Sequence, residues 1–426
     1  MLNRPITVAI VGAGHRSVAY ARYALSHPDR MKVVAVADPN PLRRQSVAQT
    51  HGIPPENCFE SYEELAARPP LADAVINGTM DGLHYASAKP LLEAGYHMLL
   101  EKPIAQKEEE VRSLIDTARR HGRTVMICHV LRYAPFYAQV KELLASGEIG
   151  DVVCVHTAEN VSYHHMAVGF IRGRWRRRGE SNPMLLAKCC HDLDIIAWIY
   201  SGVPATRVAS FGSLKQFRPE NAPPGSGTRC LVDCQIEAEC PYSARANYIT
   251  QGLWSFYAWE PIEHLGMGNA TEEQKLESLR TDNPYGRCVW RCDNDVVDHQ
   301  SVIVEFANGA TASHDMFCAT ARPTRTLHIV GTRGEIEGDM EAGRLVVRHP
   351  WTERGKEYRE TPIEIAVKGD GHGGGDSRLI ADFVSVLRGE PTSRGATRIE
   401  DSLTGHLIAF AADRSMLEHR VVEVLP

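Results

Sequence analysis

The segment Ile6-Thr-Val-Ala-Ile-Val-Gly-Ala-Gly-His-Arg-Ser17 constrains the fold of this chain more than any other. A β-branched run breaks into glycines and resumes as a helical pattern from Val18 to Leu25, which reads as strand, tight turn and helix. Gly12 permits the turn, Gly14 lets backbone approach a pyrophosphate, and the helix N-terminus that follows stabilises such a charge. Ser17 stands where a third glycine is usual, so the loop by itself is equally compatible with a plain turn. Its surroundings strengthen it. A second strand, Met31 to Ala37, ends on Asp38, which follows Gly14 by 24 residues. That is near the separation of about 20 expected of the acid that binds the adenosine ribose hydroxyls. Asp38 repels a 2′-phosphate and so favours NAD over NADP, while Arg43 and Arg44 just downstream keep NADP open.

The alternation of strand and helix continues through Ser61-Tyr-Glu-Glu-Leu as a capped helix start, a strand at Ala72–Asn77, a helix at Gly82–Ala94 closed by Gly95, and a strand at His97–Leu100. This last strand delivers Glu101-Lys102-Pro103 at its carboxyl end, where open α/β sheets bind ligands. A helix from Lys107 to Arg120, a strand from Thr124 to Cys128 and a helix from Pro135 to Ser146 complete a doubly wound parallel sheet. Beyond Gly150 the pattern shifts to longer β-rich runs at 151–159, 206–211, 244–250, 302–306, 310–317 and 326–331, an expected second α/β domain with a largely antiparallel open sheet. Helices are expected at 185–200, 377–388 and 399–419, and polar, glycine-rich loops at 216–228 and 369–375. The predicted partition is therefore a nucleotide-binding domain over residues 1–150 and a substrate-binding and oligomerisation domain over 151–426.

Composition excludes several classes of function. With 43% hydrophobic and 23% charged residues and a formal net charge of −6, the chain lacks the basic excess that nucleic-acid binding demands. No run of about 18 apolar residues marks a membrane span, and no signal peptide is visible at the N-terminus. Eleven cysteines, an odd number, without an export signal point to thiols in a reducing compartment and a cytoplasmic protein.

The combination of GAGHRS, ADPN, His84, the Ala88–His97 segment AKPLLEAGYH, the Glu101-Lys102-Pro103 tripeptide and the late GDGHGGGD resembles the Gfo/Idh/MocA oxidoreductase family over essentially the whole chain. The resemblance implies a Rossmann domain followed by an α/β domain whose open sheet forms a dimer or tetramer interface. It implies hydride transfer between NAD(P) and a secondary alcohol carbon of a sugar or polyol. By the same resemblance Gly12, Gly14, His15, Arg16, Ser17, Asp38, Thr79, His84, Glu101, Lys102 and Arg132 are the candidate cofactor contacts. Lys102 is further expected to project into the substrate pocket, with its bond to Pro103 a candidate cis peptide. Oxidising a carbinol needs a proton acceptor as the hydride leaves and a cation near the developing alkoxide, and lysine can supply either.

A second cluster is Met184-Leu-Leu-Ala-Lys-Cys-Cys-His-Asp-Leu-Asp194, where Lys188, His191 and Asp194 at three-residue steps can share a helical face. Many family members carry an aspartate four residues before this histidine. Here that position is Ala187, so Lys188 or Tyr133 is the candidate to supply the missing proton chemistry, and Lys188, His191 and Tyr133 are the possible bases. Asp192 or Asp194 is read as a helix cap or as a group orienting His191. Tyr163, His164, Arg172, Arg174 and Trp175 are candidate pocket residues, the arginine forks suiting sugar hydroxyls or an anionic substituent. Asp298 and His299 are candidates for the same pocket, or their segment simply pairs with the arginines. Cys230, Cys234 and Cys240 raise a structural zinc, for which the fourth ligand must come from elsewhere.

Two classes of function remain. One is an NAD-dependent enzyme acting on a sugar or glycoside, either as a dehydrogenase or as a redox-neutral glycosidase that oxidises, eliminates, adds water and reduces. The other is a non-catalytic NAD-binding sensor, against which the presence of both Lys102 and His191 argues.

Overall fold

Short apolar runs punctuated by glycine fold as buried parallel strands, and the computed structural model, which describes residues 4–266, 268–351, 353–366 and 371–424, contains six of them in its first half. These are β1 (Ile6–Val11), β2 (Met31–Ala37), β3 (Cys58–Phe59), β4 (Ala74–Asn77), β5 (His97–Leu100) and β6 (Val125–Ile127). Their order, β3-β2-β1-β4-β5-β6, is all parallel and reverses direction between β1 and β4, which opens a crevice at their carboxyl ends. Local chemistry sets the connecting helices. Asn40 caps the Pro41–His51 helix by accepting from the Leu42 and Arg43 amides, and Gly52 ends it in the left-handed region. Ser61 caps the Tyr62–Ala66 helix as expected, through the Glu64 amide.

The second half carries nine strands: β7 (Val152–Ser162), β8 (Ala205–Ser213), β9 (His299–Phe306), β10 (Thr311–Thr320), β11 (Thr324–Gly331), β12 (Glu335–Asp339), β13 (Arg344–Pro350), β14 (Tyr358–Glu364) and β15 (Val422–Glu423). They form one sheet in the order β14-β13-β12-β11-β7-β10-β9-β8-β15, antiparallel except where β7 runs parallel to β10. The Met184–Ile199 and Leu403–Glu418 helices cover one face, and their apolar side chains join the inward residues of the strands in a single core. The other face is open, with Phe211, Ile303 and Phe317 exposed on it.

Three expectations need correction. Residues 244–250 are not a strand: Arg245–Thr250 is a π-helical turn, in which Ala244 and Tyr248 are buried at helical spacing and the Ser243 hydroxyl accepts from the Ala246 amide. The strands β12, β13 and β14 escaped the sequence pattern. Of the expected 369–375 loop, residues 369 and 370 lie outside the described residues, and from Gly371 the chain is helical to Arg388. This last helix does not pack on the second sheet. Leu379, Ile380, Phe383 and Val384 join the core of the first sheet beside Ile6, Val8 and Tyr20. Residues just beyond it extend that sheet, with the Ile127 amide donating to the Thr397 carbonyl and the Ile399 amide to the Val125 carbonyl. Among the described residues, no helix is long and apolar enough to cross a membrane.

Candidate active site

The nucleotide loop lies flat across the strand ends. Gly12 turns at φ +77°, and a Cβ there would come within 2.7 Å of the Gly78 carbonyl oxygen, so the close approach of β1 and β4 requires glycine. Gly14 faces open space, since a Cβ on it would meet nothing within 4 Å. Ser17 fits in place of a third glycine because Gly78 opposite has no side chain; a Cβ on Gly78 would overlap the Ser17 hydroxyl. The Asp38 carboxylate, buried at the end of β2, accepts from the Ala13 amide at 2.6 Å and from the Asn40 amide at 2.8 Å, which ties the loop to the ribose-binding position. Neither downstream arginine is free for a 2′-phosphate. Arg43 is paired with Glu263, and Arg44 donates to the Asp38 carbonyl and meets Glu60. An open approach at Gly14 and a buried carboxylate at Asp38 fit a dinucleotide that carries ribose hydroxyls there.

At the carboxyl end of β5 the Lys102–Pro103 bond is cis, and the half-buried Lys102 ammonium donates to the Ala187 carbonyl at 2.9 Å. A regular α-helix gives that same carbonyl to the amide of His191, so the ammonium sits at the turn that carries this histidine. Burial pulls Lys102 down, but Cys190, Glu101 and Asp81 outweigh it and leave the ammonium above the usual lysine value. Of the two roles open to Lys102, proton acceptor or cation near the developing alkoxide, this surrounding favours the cation. Burial likewise pushes the Glu101 carboxyl up, yet Arg16, Lys102 and the Tyr20 hydroxyl hold it below the ordinary range. His84 braces the site from below, its Nδ1 at 2.6 Å from the Pro103 carbonyl and its Nε2 at 3.1 Å from the Thr79 carbonyl.

The chain matches the family described as oxidoreductase, NAD-binding Rossmann fold, over residues 6–129, and its C-terminal alpha/beta domain over residues 141–424. It belongs to the Gfo/Idh/MocA oxidoreductase family. As a Gfo/Idh/MocA protein it is an NAD(P)-dependent oxidoreductase. Among its relatives, YteT of Bacillus subtilis is 25% identical over 77% of this chain and 76% of its own length. The trans-1,2-dihydrobenzene-1,2-diol dehydrogenase of Bos taurus is 31% identical over 57% of this chain and 71% of its own length. The fold is shared by levoglucosan dehydrogenase in complex with NADH and levoglucosan, with a TM-score of 0.71 at 18% identity over 99% of this chain and 100% of that one.

In this Gfo/Idh/MocA site several expected residues converge and others are turned away. Trp175 donates to Asp81 at 3.1 Å, Asn182 donates to the same carboxylate at 3.0 Å, and Arg174 bonds Glu260 and Met80, so the 172–182 loop closes over the end of β4 beside Lys102. Tyr163 and His164 stand half-buried on one short helix near Tyr242. His15 packs edge-on against Phe256, centroids 4.6 Å apart.

The Arg16 side chain is engaged within the protein. Its guanidinium bridges Glu101 at 3.1 Å, Asp376 at 2.8 Å and the Tyr20 hydroxyl, a clamp between the glycine loop and the returning C-terminal helix. Arg132 is consumed by a buried bidentate pair with Asp194, both bonds 2.7 Å, so neither residue lies open to a ligand. Tyr133 packs in the first core with Leu379 and Phe383, where burial pushes its hydroxyl far above the usual value, away from proton transfer. The Lys188 ammonium is ion-paired to Glu159 at 2.7 Å, and Arg325 links Glu159 to Asp192, so Lys188 turns away from His191 and Asp194, which both lie against His129. Arg172 is fully buried and braces the 214–298 segment. Asp298 organises the loop at Lys215 and Gln216 through their amides, and His299 lies on the open face of the sheet. Their segment does pair with arginines, through Asp293 with Arg176 and Arg287 and Asp295 with Arg177.

Three residues of the site were missed. Asp81 follows β4 at the level of Lys102, and its place at a strand end was the available signal. His165 stacks on Trp254 at 4.0 Å, and burial together with Lys188, His164, Arg325 and Lys102 holds it well below the ordinary histidine value, hence neutral. Tyr257 neighbours Lys102 from the 214–298 segment; nothing local in the sequence marked it.

Proposed function

We propose that this protein oxidises a secondary hydroxyl of a sugar or glycoside with NAD, in a pocket between the nucleotide-binding half, residues 1–150 completed by the returning stretch 371–399, and the substrate half, the rest of residues 151–426. The observation that carries this reading is the Lys102 ammonium, a cation half-buried at the strand ends and directed at the His191 turn. Bound nicotinamide would supply the hydride acceptor. Lys102 holds the substrate oxygen and stabilises the negative charge that grows on it as its proton departs. His191 takes that proton, and Asp81 keeps Trp175 and Asn182 in place around the pocket mouth. Asp38 and the committed state of Arg43 and Arg44 support NAD in preference to NADP.

The levoglucosan and dihydrodiol relatives act on cyclic compounds, which is in keeping with a ring hydroxyl as the reacting group. A redox-neutral glycosidase cycle is the second reading. It is favoured by His165, a further imidazole near Lys102 that burial holds well below the ordinary histidine value, because such a cycle moves more than one proton. The exposed Phe211, Ile303 and Phe317 on the open sheet support a homo-oligomer assembled through that face. The small-molecule chemistry and the thiol content are in keeping with a cytoplasmic protein.

Incubating the purified protein with NAD and a panel of sugars and glycosides, while following nicotinamide absorbance and aglycone release together, separates the readings. Stoichiometric NADH supports the dehydrogenase, and aglycone without net NADH supports the glycosidase. Binding of NAD with neither product, unchanged by Lys102→Ala and His191→Ala, would leave the sensor.

A further inference from the structure

The segment from Leu214 to Asp298 joins β8 to β9 through turns and short helices, and among its described residues there is no strand. Its own apolar cluster is small, centred on Cys230, Ala244, Tyr248, Leu279 and Tyr285. A stretch so poor in regular structure and core needs another source of cohesion.

Within it, Cys230, Cys234, Cys240 and Cys288 line one cavity of about 10 Å³, space for a single ion or water, together with Arg172 and Trp290. Two chain segments bring them there. The Cys230 amide donates to the Gly286 carbonyl at 3.0 Å and the Cys288 amide to the Thr228 carbonyl at 2.8 Å, so these two cysteines flank the backbone bridge between Arg229 and Arg287 diagonally. Burial, with Cys230 and Cys234 as neighbours, pushes the Cys240 and Cys288 thiols up. Glu237, also on the cavity wall, is occupied by the Ser243 hydroxyl.

Arg172 supplies the independent observation. It is 1% exposed, and its guanidinium donates to the Arg287 and Tyr242 carbonyls, to the Tyr248 hydroxyl and to Cys230 Sγ at 3.4 Å. Among the described residues no carboxylate pairs with it. A buried cation surrounded only by neutral groups calls for an anion, and the partner it touches is a cysteine sulfur.

We propose that Cys230, Cys234, Cys240 and Cys288 bind a structural zinc ion as a tetrathiolate, with Arg172 as its counter-cation. Four thiols give up four protons to solvent, the Zn(Cys)4 centre carries two negative charges, and Arg172 offsets one of them. Cys288 is the fourth ligand that the spacing of the first three leaves unspecified. Zn–S bonds of about 2.3 Å place tetrahedral sulfurs roughly 3.8 Å apart, so the four side chains close in by rotation about Cα–Cβ when the ion binds. A different trio, Cys189, Asp192 and His314, already has its ligand atoms within 4.8 Å, but Asp192 there is committed to Arg325 and Lys188 lies nearby on Glu159.

The test is elemental analysis of the full-length protein purified without chelator, followed by cobalt exchange. Zinc at one equivalent per chain, a thiolate-to-cobalt charge-transfer band on exchange, and loss of the metal in Cys234→Ser and Cys288→Ser are the expected results. The cobalt band needs no variant, so a misfolded substitution does not blunt the test. Protein purified without metal whose four thiols are free or disulfide-linked, cobalt bound without a thiolate band, or zinc retained in full by both variants overturns the proposal.

Discussion

Arg43 closes on Glu263 through two hydrogen bonds, from Nε at 2.9 Å and from the terminal nitrogen at 2.6 Å. The pair joins the segment just after Asp38 to the 214–298 insertion, and it keeps a guanidinium away from the position a 2′-phosphate would take. Glu263→Ala removes this pair and leaves Arg43 only its longer contact with Glu260 at 3.7 Å, and NADPH affinity relative to NADH is expected to rise by roughly 3- to 10-fold, on the order of 1 kcal/mol for a partly exposed charge contact. Fluorescence titration with the two reduced dinucleotides checks this; an unchanged ratio counts against the pairing as a specificity device.

Lys102→Ala is expected to lower kcat/KM by about 10²- to 10³-fold, the usual cost of removing one stabiliser of a developing oxyanion, while dinucleotide binding and thermal stability change little. Because Lys102 lies above the ordinary lysine value, its charge persists through mildly alkaline pH. The wild-type rate therefore shows no alkaline fall below pH 9 on account of this residue, and a pH–rate profile decides the matter.

His406 Nδ1 donates to the Ser402 carbonyl and its Nε2 accepts the Ile104 amide, each at 3.0 Å, so the ring is neutral and protonating Nε2 sets it against that amide. Burial holds it down to about 4, and burial with His406, Arg132 and Lys102 holds the adjacent His129 well below its usual value. Unfolded histidines titrate near 6.5, so between pH 6.5 and 4 the unfolded chain takes up protons the folded one refuses. Stability falls with pH across that window by about 1.4 kcal/mol per unit for each histidine. Urea midpoints measured from pH 7 to 4.5 should decline accordingly, and His406→Asn should flatten the slope by one histidine's share.

Gly78→Ala drives a methyl group into the Ser17 hydroxyl and is expected to cost about 1–3 kcal/mol along with dinucleotide affinity. The double variant Ser17→Gly/Gly78→Ala removes the overlap and should recover most of the loss in thermal melts. No recovery would mean the two positions do not meet as described.

Phe211 is 72% exposed and Ile303 57% exposed on the open sheet face. Phe211→Glu places a charge there and should shift the protein toward monomer in sedimentation experiments, with little change in the melting of the chain itself. A wild-type monomer would remove the basis for this assembly.

Five strands of the first sheet were legible because they are short, mostly apolar runs, three of them ending at Gly12, Asp38 and Gly78, and Asp38 and Lys102 are read by local spacing; the two-residue strand Cys58–Phe59 is too short to carry such a pattern. The strand Glu335-Ile-Glu-Gly-Asp339 was not, since it carries one buried apolar residue, and β14 is exposed along nearly its whole length. The charged residues were misread for a related reason. Arg132 finds Asp194 at a separation of 62 residues, and Arg172 meets Cys230 at 58, so guanidinium groups whose partners are distant in sequence looked available to a ligand. Lys188 met the same fate through Glu159.

The Gly371–Arg388 helix that lies against β1 and the bridge at residues 397–399 that edges β6 mean that the nucleotide-binding half is assembled from two stretches far apart in sequence. On a ribosome, that sheet waits for residues 371–399 to emerge before its core is closed. A fragment cut at residue 150 would present one bare apolar face and lack the Asp376 counter-ion of Arg16. The two halves of this enzyme are thus not cassettes that recombination could exchange one at a time, whatever the modular look of their order along the chain.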